Sequence, residues 1–375
     1  MISRSNHLKL FLVCISLLLS GHYSNAQARR NSFLHMFVDV GYSYTTNDAP
    51  EKARGFLMNN FDLFFNPQIS NRDRVLVELL YETHEGSYVT DVERMQIGHS
   101  FSNALFLWAG RFHTPYGYWN AEFHHGAQLQ TSVVRPKFVN FEDDGGIVPA
   151  HSVGLWGTGT LGKFQYDLYI ANGSKIESPV AAAGATVAEA GTLNPNISTD
   201  DNNGPLIGFN LSQKINNDNV RVGLHGYTQG VSVYDTSIAG VAPQTYRAQS
   251  LMLGGYLVVD NGSIESISEY YNFSNKNEFG GNTGSNKSWA GFTQFAYNMD
   301  KSSYFVRYER AVLDQNDFYF LKQASGRSYD RIAGGIKYNL GPDICVKLEI
   351  THSMQEEATG TIKYNEGKIQ YAIYF

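Results

Sequence analysis

The densest grouping of side chains able to do chemistry lies in residues 113–150. They carry His113, His124 and His125, the basic Arg135 and Lys137, and the acidic run Glu142-Asp143-Asp144. Three histidines near carboxylates raise the question of a metal. Adjacent histidines on extended chain point to opposite sides, so His124-His125 make a poor chelate, and no carboxylate or thiolate spacing completes a ligand set. The acidic run precedes Gly145-Gly146, yet it lacks the spaced oxygen ligands of a calcium loop. No metal or other cofactor is expected. Nucleophilic catalysis would need Ser, His and a carboxylate or carboxamide gathered at one place. His99, His225, His352 and Ser353 are candidates, but no G-x-S-x-G motif accompanies them. The remaining role for the charges is to face water. Arg135 and Lys137, opposed by Glu142, Asp143 and Asp144, are the candidates to line a constriction, where sign and position matter more than reactivity.

The elements that would position such a segment are strands. Periodicity is two almost throughout. In Tyr304–Glu309, one face carries Tyr304, Val306 and Tyr308 and the other Arg307 and Glu309. Val346, Leu348 and Ile350 oppose Lys347, Glu349 and Thr351, and Phe164, Tyr166, Leu168 and Ile170 oppose Lys163, Gln165 and Asp167. An apolar stripe against a charged one in such short segments predicts lipid on one side and water on the other. About sixteen such strands are predicted, each near the ~10 residues of a tilted barrel strand. Short links, such as Asn261-Gly262 and Gly341-Pro342, alternate with long ones at 113–150, 173–204, 232–245, 274–287, 313–328 and 355–367. Alternation puts Arg74, Glu78, Arg94, Arg111, Arg307, Glu309, Lys347 and Glu349 toward the lumen, with Asp62, Glu82, Asp167, Arg221, Arg331 and Lys337. The fold class is therefore all-β, a transmembrane antiparallel barrel. Its longest connection, rich in aromatics (Tyr116, Tyr118, Trp119, Phe123, Phe138, Phe141), is expected to fold inward as a third loop, because a barrel of this size leaves a lumen to fill.

Composition agrees. Residues 1–26 read as a signal peptide, with Arg4 and Lys9 before the apolar Leu10–Leu19 and small residues at Ser24, Ala26 and Ala28. Residues 27–375 then form the barrel domain. No later apolar run approaches the ~18 residues of a membrane helix, and Cys345 is the one cysteine left. Losing Arg4 and Lys9 takes the net charge from −6 to −8, which disfavours nucleic acid as a partner. With 24 Tyr, 23 Phe and 36 Gly but only 17% charged residues, the chain suits a wall in which one residue in two faces lipid.

Residues 56–83, with Phe61-Asp62-Leu63, a turn at Ser70–Arg74 and then Val75–Leu79, resemble the early hairpin of the phosphate-selective porin family, porins O and P. The stretch Ala109-Gly110-Arg111-Phe112-His113-Thr114-Pro115-Tyr116-Gly117 is similar to that family's strand leading into the third loop, and Phe164–Gly173 also fits. The resemblance implies a sixteen-stranded, often trimeric channel with an inward third loop. Phosphate channels of this type are rich in Arg and Lys at the constriction, whereas this loop offers only Arg135 and Lys137 against Glu122 and the acidic trio.

The expected function is passive diffusion of small hydrophilic solutes or ions through the bacterial outer membrane, with anions such as phosphate as the narrower reading. The alternative is a membrane-embedded barrel hydrolase acting on lipid, and no enzyme activity is expected on the first reading. Outer-membrane lipid and lipopolysaccharide, the barrel-assembly machinery and two further copies in a homotrimer are the expected partners. Lys368–Phe375 sets Ile369, Tyr371, Ile373 and Phe375 on one face, similar to the terminal signal that outer-membrane proteins present for assembly. Deleting Phe375 should lower the yield of heat-modifiable, folded barrel on gels, and an unchanged yield would remove that role.

Overall fold

The computed structural model describes residues 33–46, 49, 53–84, 87–123, 126–141, 146–176, 193–194, 204–235, 244–277, 284–321, 326–357 and 360–375. The proposed leader, His124-His125 and Glu142-Asp143-Asp144 lie outside them. Among the described residues no helix is long and apolar enough to cross a membrane. Crossing is done by strands instead.

Sixteen of these make the wall: β1 (Leu34–Thr45), β2 (Arg54–Phe65), β3 (Asp73–His84), β4 (Ser87–Ser102), β5 (Leu105–His113), β6 (His151–Leu161), β7 (Phe164–Ala171), β8 (Leu206–Ile215), β9 (Val220–Asp235), β10 (Gln244–Asp260), β11 (Ile264–Asn277), β12 (Ser285–Met299), β13 (Ser302–Val312), β14 (Tyr329–Gly341), β15 (Ile344–Glu357) and β16 (Gly360–Tyr374). Each pairs antiparallel with the next, and β1 pairs with β16, from Phe37 opposite Tyr374 to Thr45 opposite Glu366. The sheet is closed, so no edge leaves unpaired backbone in lipid. Two short segments, Lys175–Ile176 and Leu193–Asn194, pair with each other, and the first also adds to β9. The terminal Phe375 continues the closing seam: its N–H donates to the Met36 carbonyl at 3.0 Å, and the Met36 N–H returns to Phe375 at 2.7 Å.

Alternation behaves as the sequence predicts. On β13, Tyr304, Val306 and Tyr308 are 45–49% exposed while Arg307 and Glu309 are buried. On β15, Leu348 and Ile350 face out and Lys347, Glu349 and Thr351 are buried. At the short-turn end, Asn216, Asn217, Asp218 and Asp300 adopt positive φ, a conformation Asn and Asp tolerate better than most residues. Asn261 Oδ1 accepts from Ser263 and Ile264 at 3.1 and 2.9 Å, building the expected Asn-Gly turn.

The other end departs from expectation. The predicted links 232–245, 274–287 and 355–367 shrink to 236–243, 278–284 and 358–359, because β9, β10, β11, β12, β15 and β16 run further. β3 and β4 are likewise joined across 85–86 alone. The physical reason is that these extensions carry polar residues on both faces, as in Ser274-Asn275-Lys276-Asn277. A ladder that rises out of lipid keeps its backbone pairing while losing the apolar stripe that betrays a strand in sequence.

Val306 stands outward near the middle of β13. A charge there meets hydrocarbon, so Val306→Arg should cost about 2–4 kcal/mol of folding stability in vesicles, read by urea titration. A cost near zero would place this face away from lipid.

Candidate functional site

The described residues of the third loop, which runs over 114–150, fold into the barrel and are held there by the wall. The loop enters through Thr114, whose hydroxyl meets Ser152 Oγ at 2.7 Å, and bends at Gly117, where φ is +63°. A Cβ at Gly117 would collide with the Glu269 carboxylate and the Tyr271 hydroxyl, so glycine is required both for the left-handed backbone and for the close approach. A single helical turn follows, α1 (Trp119–Glu122). Its first N–H groups have no partner within the turn, and the wall supplies one: Glu269 Oε1, from β11, accepts from Tyr118 and Trp119 at 3.2 and 2.5 Å.

Further along, the same device recurs. Glu349 Oε2 on β15 accepts the N–H groups of Val133 and Val134 at 2.7 and 3.2 Å. Glu309 Oε2 on β13 accepts from Lys137 N at 2.6 Å, at the start of a 3-10 turn, Lys137–Val139. Cations take the carbonyls. Arg307 donates to Val134 and Arg135 at 3.1 and 3.3 Å. Lys347 reaches the Ser132 carbonyl at 2.8 Å and that of Ala127, and Lys337 reaches Gln128. The wall charges also balance one another, with Arg307 Nε 2.8 Å from Glu309 and Arg331 3.8 Å from it.

Between these clamps the loop buries apolar side chains against the inner wall. Tyr116, Trp119, Phe138, Ile147 and Val148 join wall residues Tyr227, Tyr271, Phe273 and Phe292 in one cluster. A second inward element, missed in the sequence, completes it. α2 (Phe318–Leu321), in the link between β13 and β14, buries Tyr319 and Phe320, and the Tyr319 hydroxyl donates to Ile147 O at 2.5 Å. Asp317 accepts the Tyr319 N–H at 3.0 Å and Asn275 Nδ2 at 2.9 Å. Burial pushes its carboxyl up to about 6, against the lowering effect of those two donors.

Of the residues singled out by sequence, Arg135 is buried and serves the loop itself. It donates to Val139 O, Phe123 O and Asn120 Oδ1 at 2.8–2.9 Å and lies 4.2 Å over the Phe141 ring. Lys137 reaches Gln355 on β15 and lies 5.2 Å from the Tyr329 ring. Glu78, paired with Arg94, and Arg307, Glu309, Lys347 and Glu349 are buried as the lumen assignment requires. Arg74 is at the short-turn end, 5.6 Å over Phe106. Arg111 sits elsewhere: it pairs with Met95 on the outer face, and its Nε returns to the Glu93 carbonyl at 2.9 Å. Lying two residues from the end of β5, it can carry its charge to the membrane rim, which alternation alone does not reveal.

A cleft of about 100 Å³ separates α1 from the wall, lined by Tyr118, Glu122, Asp167, Asn210, Arg221 and Tyr256 among others. Arg221 meets Glu122 at 2.5 Å across it. The hydrolase candidates are scattered. His352 is exposed and bonded to Asn365 at 2.8 Å, while its neighbour Ser353 is buried on the opposite face. His225 is buried among tyrosines. At the short-turn end, Asp73 stands between Ser70 and His99, at 2.6 and 2.7 Å, so the imidazole is not placed to take the serine proton. The structure does gather His113, His151 and Glu93, with ligand atoms within 4.8 Å of one another. In sequence His113 stands nearer His124 and His125, which lie outside the described residues.

No family model matches the sequence, and no curated protein does. Solved structures match over nearly their whole length. The outer-membrane channel DcaP of Acinetobacter baumannii superposes with a TM-score of 0.61 at 12% identity, covering 95% of this chain and 99% of that one. The anion-selective porin from Comamonas acidovorans gives 0.60 at 11%, covering 91% and 98%. OmpT, an outer-membrane protein of Vibrio cholerae in a trimer form, gives 0.59 at 11%, also covering 91% and 98%. The chain is thus a closed sixteen-stranded transmembrane barrel with an inward third loop. Its fold is that of the outer-membrane porins.

The clamp has a measurable consequence. Arg307→Ala removes the cation between Glu309 and Glu349 and frees two loop carbonyls. Breaking a buried pair from one side should cost about 3–5 kcal/mol, seen as a lower unfolding temperature and faster proteolysis within 114–150. Wild-type values for both would show that Arg307 is not needed to hold the loop.

Proposed function

We propose that this chain is a diffusion channel of the bacterial outer membrane, narrowed by its third loop and passing small hydrophilic solutes. The observation that carries it is the charged inner wall clamped to an inward loop inside a closed barrel with an apolar outer face. Glu269, Glu309 and Glu349, with Arg307, Lys337 and Lys347, bond the loop backbone and keep the loop inside the lumen, which is what a constriction requires. The likeness to channels supports the same reading, and the short turns then lie on the periplasmic side. Residues 1–26 act as the export signal, and lipopolysaccharide surrounds the outward aromatic faces. The trimer form of one similar barrel supports a homotrimer here.

Selectivity is the narrower part of the proposal. The resemblance to phosphate-selective porins favours anions, while the mature charge of −8 and the acidic trio oppose it, so a weakly selective channel follows. Salt screens charges beyond ~8–10 Å, which leaves the residues nearest the passage to decide. Arg135 is spent inside the loop, so Lys137, Glu142, Asp143 and Asp144 carry the proposed balance.

Single-channel recording in planar bilayers tests both parts. Stepwise conductance is expected from the purified protein. Lys137→Gln should move the reversal potential in a salt gradient toward cations, and neutralising Glu142, Asp143 and Asp144 together should move it toward anions. Unmoved potentials would take this loop away from the constriction. A silent bilayer with verified insertion, together with lipid hydrolysis in detergent, would favour a hydrolase.

A further inference from the structure

We propose that Glu93, His113 and His151 form a binding site for one divalent transition-metal ion, of which Zn²⁺ is the model, at the root of the third loop. Three strands bring them together. His113 is the last residue of β5 and His151 the first of β6, and the two face each other in register, with ring centroids 5.3 Å apart. Glu93 comes from β4, where the register with β3 slips so that Glu78 opposes Arg94 and Leu79 opposes Val92. Glu93 is the extra residue of this bulge. Bulges re-aim a side chain in this way, and here the carboxylate ends 2.5 Å from His151 Nε2.

The donor chemistry fits. Two imidazoles and one carboxylate form a set that Zn²⁺ and similar ions accept while keeping a position for water or another ligand. Tetrahedral zinc at ~2.0–2.2 Å from each donor needs ligand atoms ~3.3 Å apart. The group, all within 4.8 Å, brackets that spacing, so small side-chain movements suffice. Glu78 Oε2 lies 3.5 Å from His113 Nε2 and supplies an outer carboxylate of the kind that orients ligating histidines. Arg94, paired with Glu78, and Arg111, bonded to the Glu93 carbonyl, are the cations nearby. Each is engaged, and two carboxylates offset them. Glu93 and His151 keep about 5% of their side-chain surface and His113 keeps 11%, which marks the way in.

Position gives the site its consequence. His113 and His151 flank residues 114–150, so a shared ion ties the two ends of the loop to each other and to β4. Phe141 of the loop lies parallel to His151 at 6.3 Å, and the Arg135 guanidinium lies 4.2 Å over the Phe141 ring. Metal occupancy would thereby stiffen the neck of the element that narrows the barrel. This inference concerns binding and does not depend on whether the barrel conducts.

The experiment uses untagged, detergent-folded full-length barrel, stripped with a chelator, re-equilibrated with Zn²⁺ alone and freed of loose metal before zinc is counted. One zinc per chain is expected in wild type, in His352→Gln and in the double variant His124→Gln/His125→Gln. His113→Gln, His151→Gln and Glu93→Gln should fall to background, and Glu78→Gln should bind at least about tenfold more weakly. Heat-modifiable migration reports folding of every variant. Should the site variants not fold, Co²⁺ added to wild type must give the intense visible absorption of a tetrahedral site. Background zinc in wild type, retention of zinc by folded His113→Gln or His151→Gln, its loss in the His124/His125 double variant, or a colourless Co²⁺ titration would each overturn the proposal.

Discussion

Everything inside this barrel depends on where the backbone of the third loop finds its hydrogen bonds. An irregular segment cannot sit at membrane depth with bare N–H and C=O groups, each of which costs free energy when buried without a partner. The strands cannot supply partners, since their own backbone groups are consumed in the wall. Side chains must do it. Glu269, Glu309 and Glu349 take N–H groups, and Arg307, Lys337 and Lys347 take carbonyls. Hydrogen bonds to charged groups contribute about 1.5–3 kcal/mol each, more than neutral ones, so acidic and basic side chains suit these positions.

That solution imposes a second constraint. Buried charges are costly unless paired, so the clamps are arranged as an alternating set in which Arg307 lies between Glu309 and Glu349, with Arg331 beside Glu309. Lys337 and Lys347 oppose each other in register, and each points at loop carbonyls rather than at a carboxylate. The loop therefore acts as part of the electrostatic balance of the wall. Removing it would strand both lysines, and removing any one clamp charge unsettles its neighbours.

The apolar cluster divides the labour. Tyr116, Trp119, Phe138 and the inward α2 press the loop onto the wall on one side of the lumen. Polar clamps set its register there. Dispersion and burial are non-directional, so aromatics alone would hold the loop without fixing its position. Gly117 is the hinge at which both requirements meet, because the close approach to Glu269 leaves no room for a side chain.

Much of the fold could be read from the sequence because lipid enforces a period of two. Val306 beside Arg307, and Leu348 beside Lys347 and Glu349, announce a wall with one dry and one wet face, and the terminal Phe375 falls on the closing seam. The lumen assignment of most charges follows from the same rule. What the sequence could not show is anything decided by contacts across the lumen or beyond the lipid. Strand ends above the membrane lose their apolar stripe, so β9, β11 and β16 read shorter than they are. Arg135 looks like a free charge, and only the packed loop shows its guanidinium committed to Val139, Phe123 and Asn120. α2 turns inward for the sake of a cluster contributed by distant segments. Glu93 reaches His151, fifty-eight positions on, through a one-residue bulge that no periodicity records. Local alternation determines the wall, because each residue answers to its own side of the membrane. The interior is settled by tertiary structure, because its partners meet only once the barrel has closed.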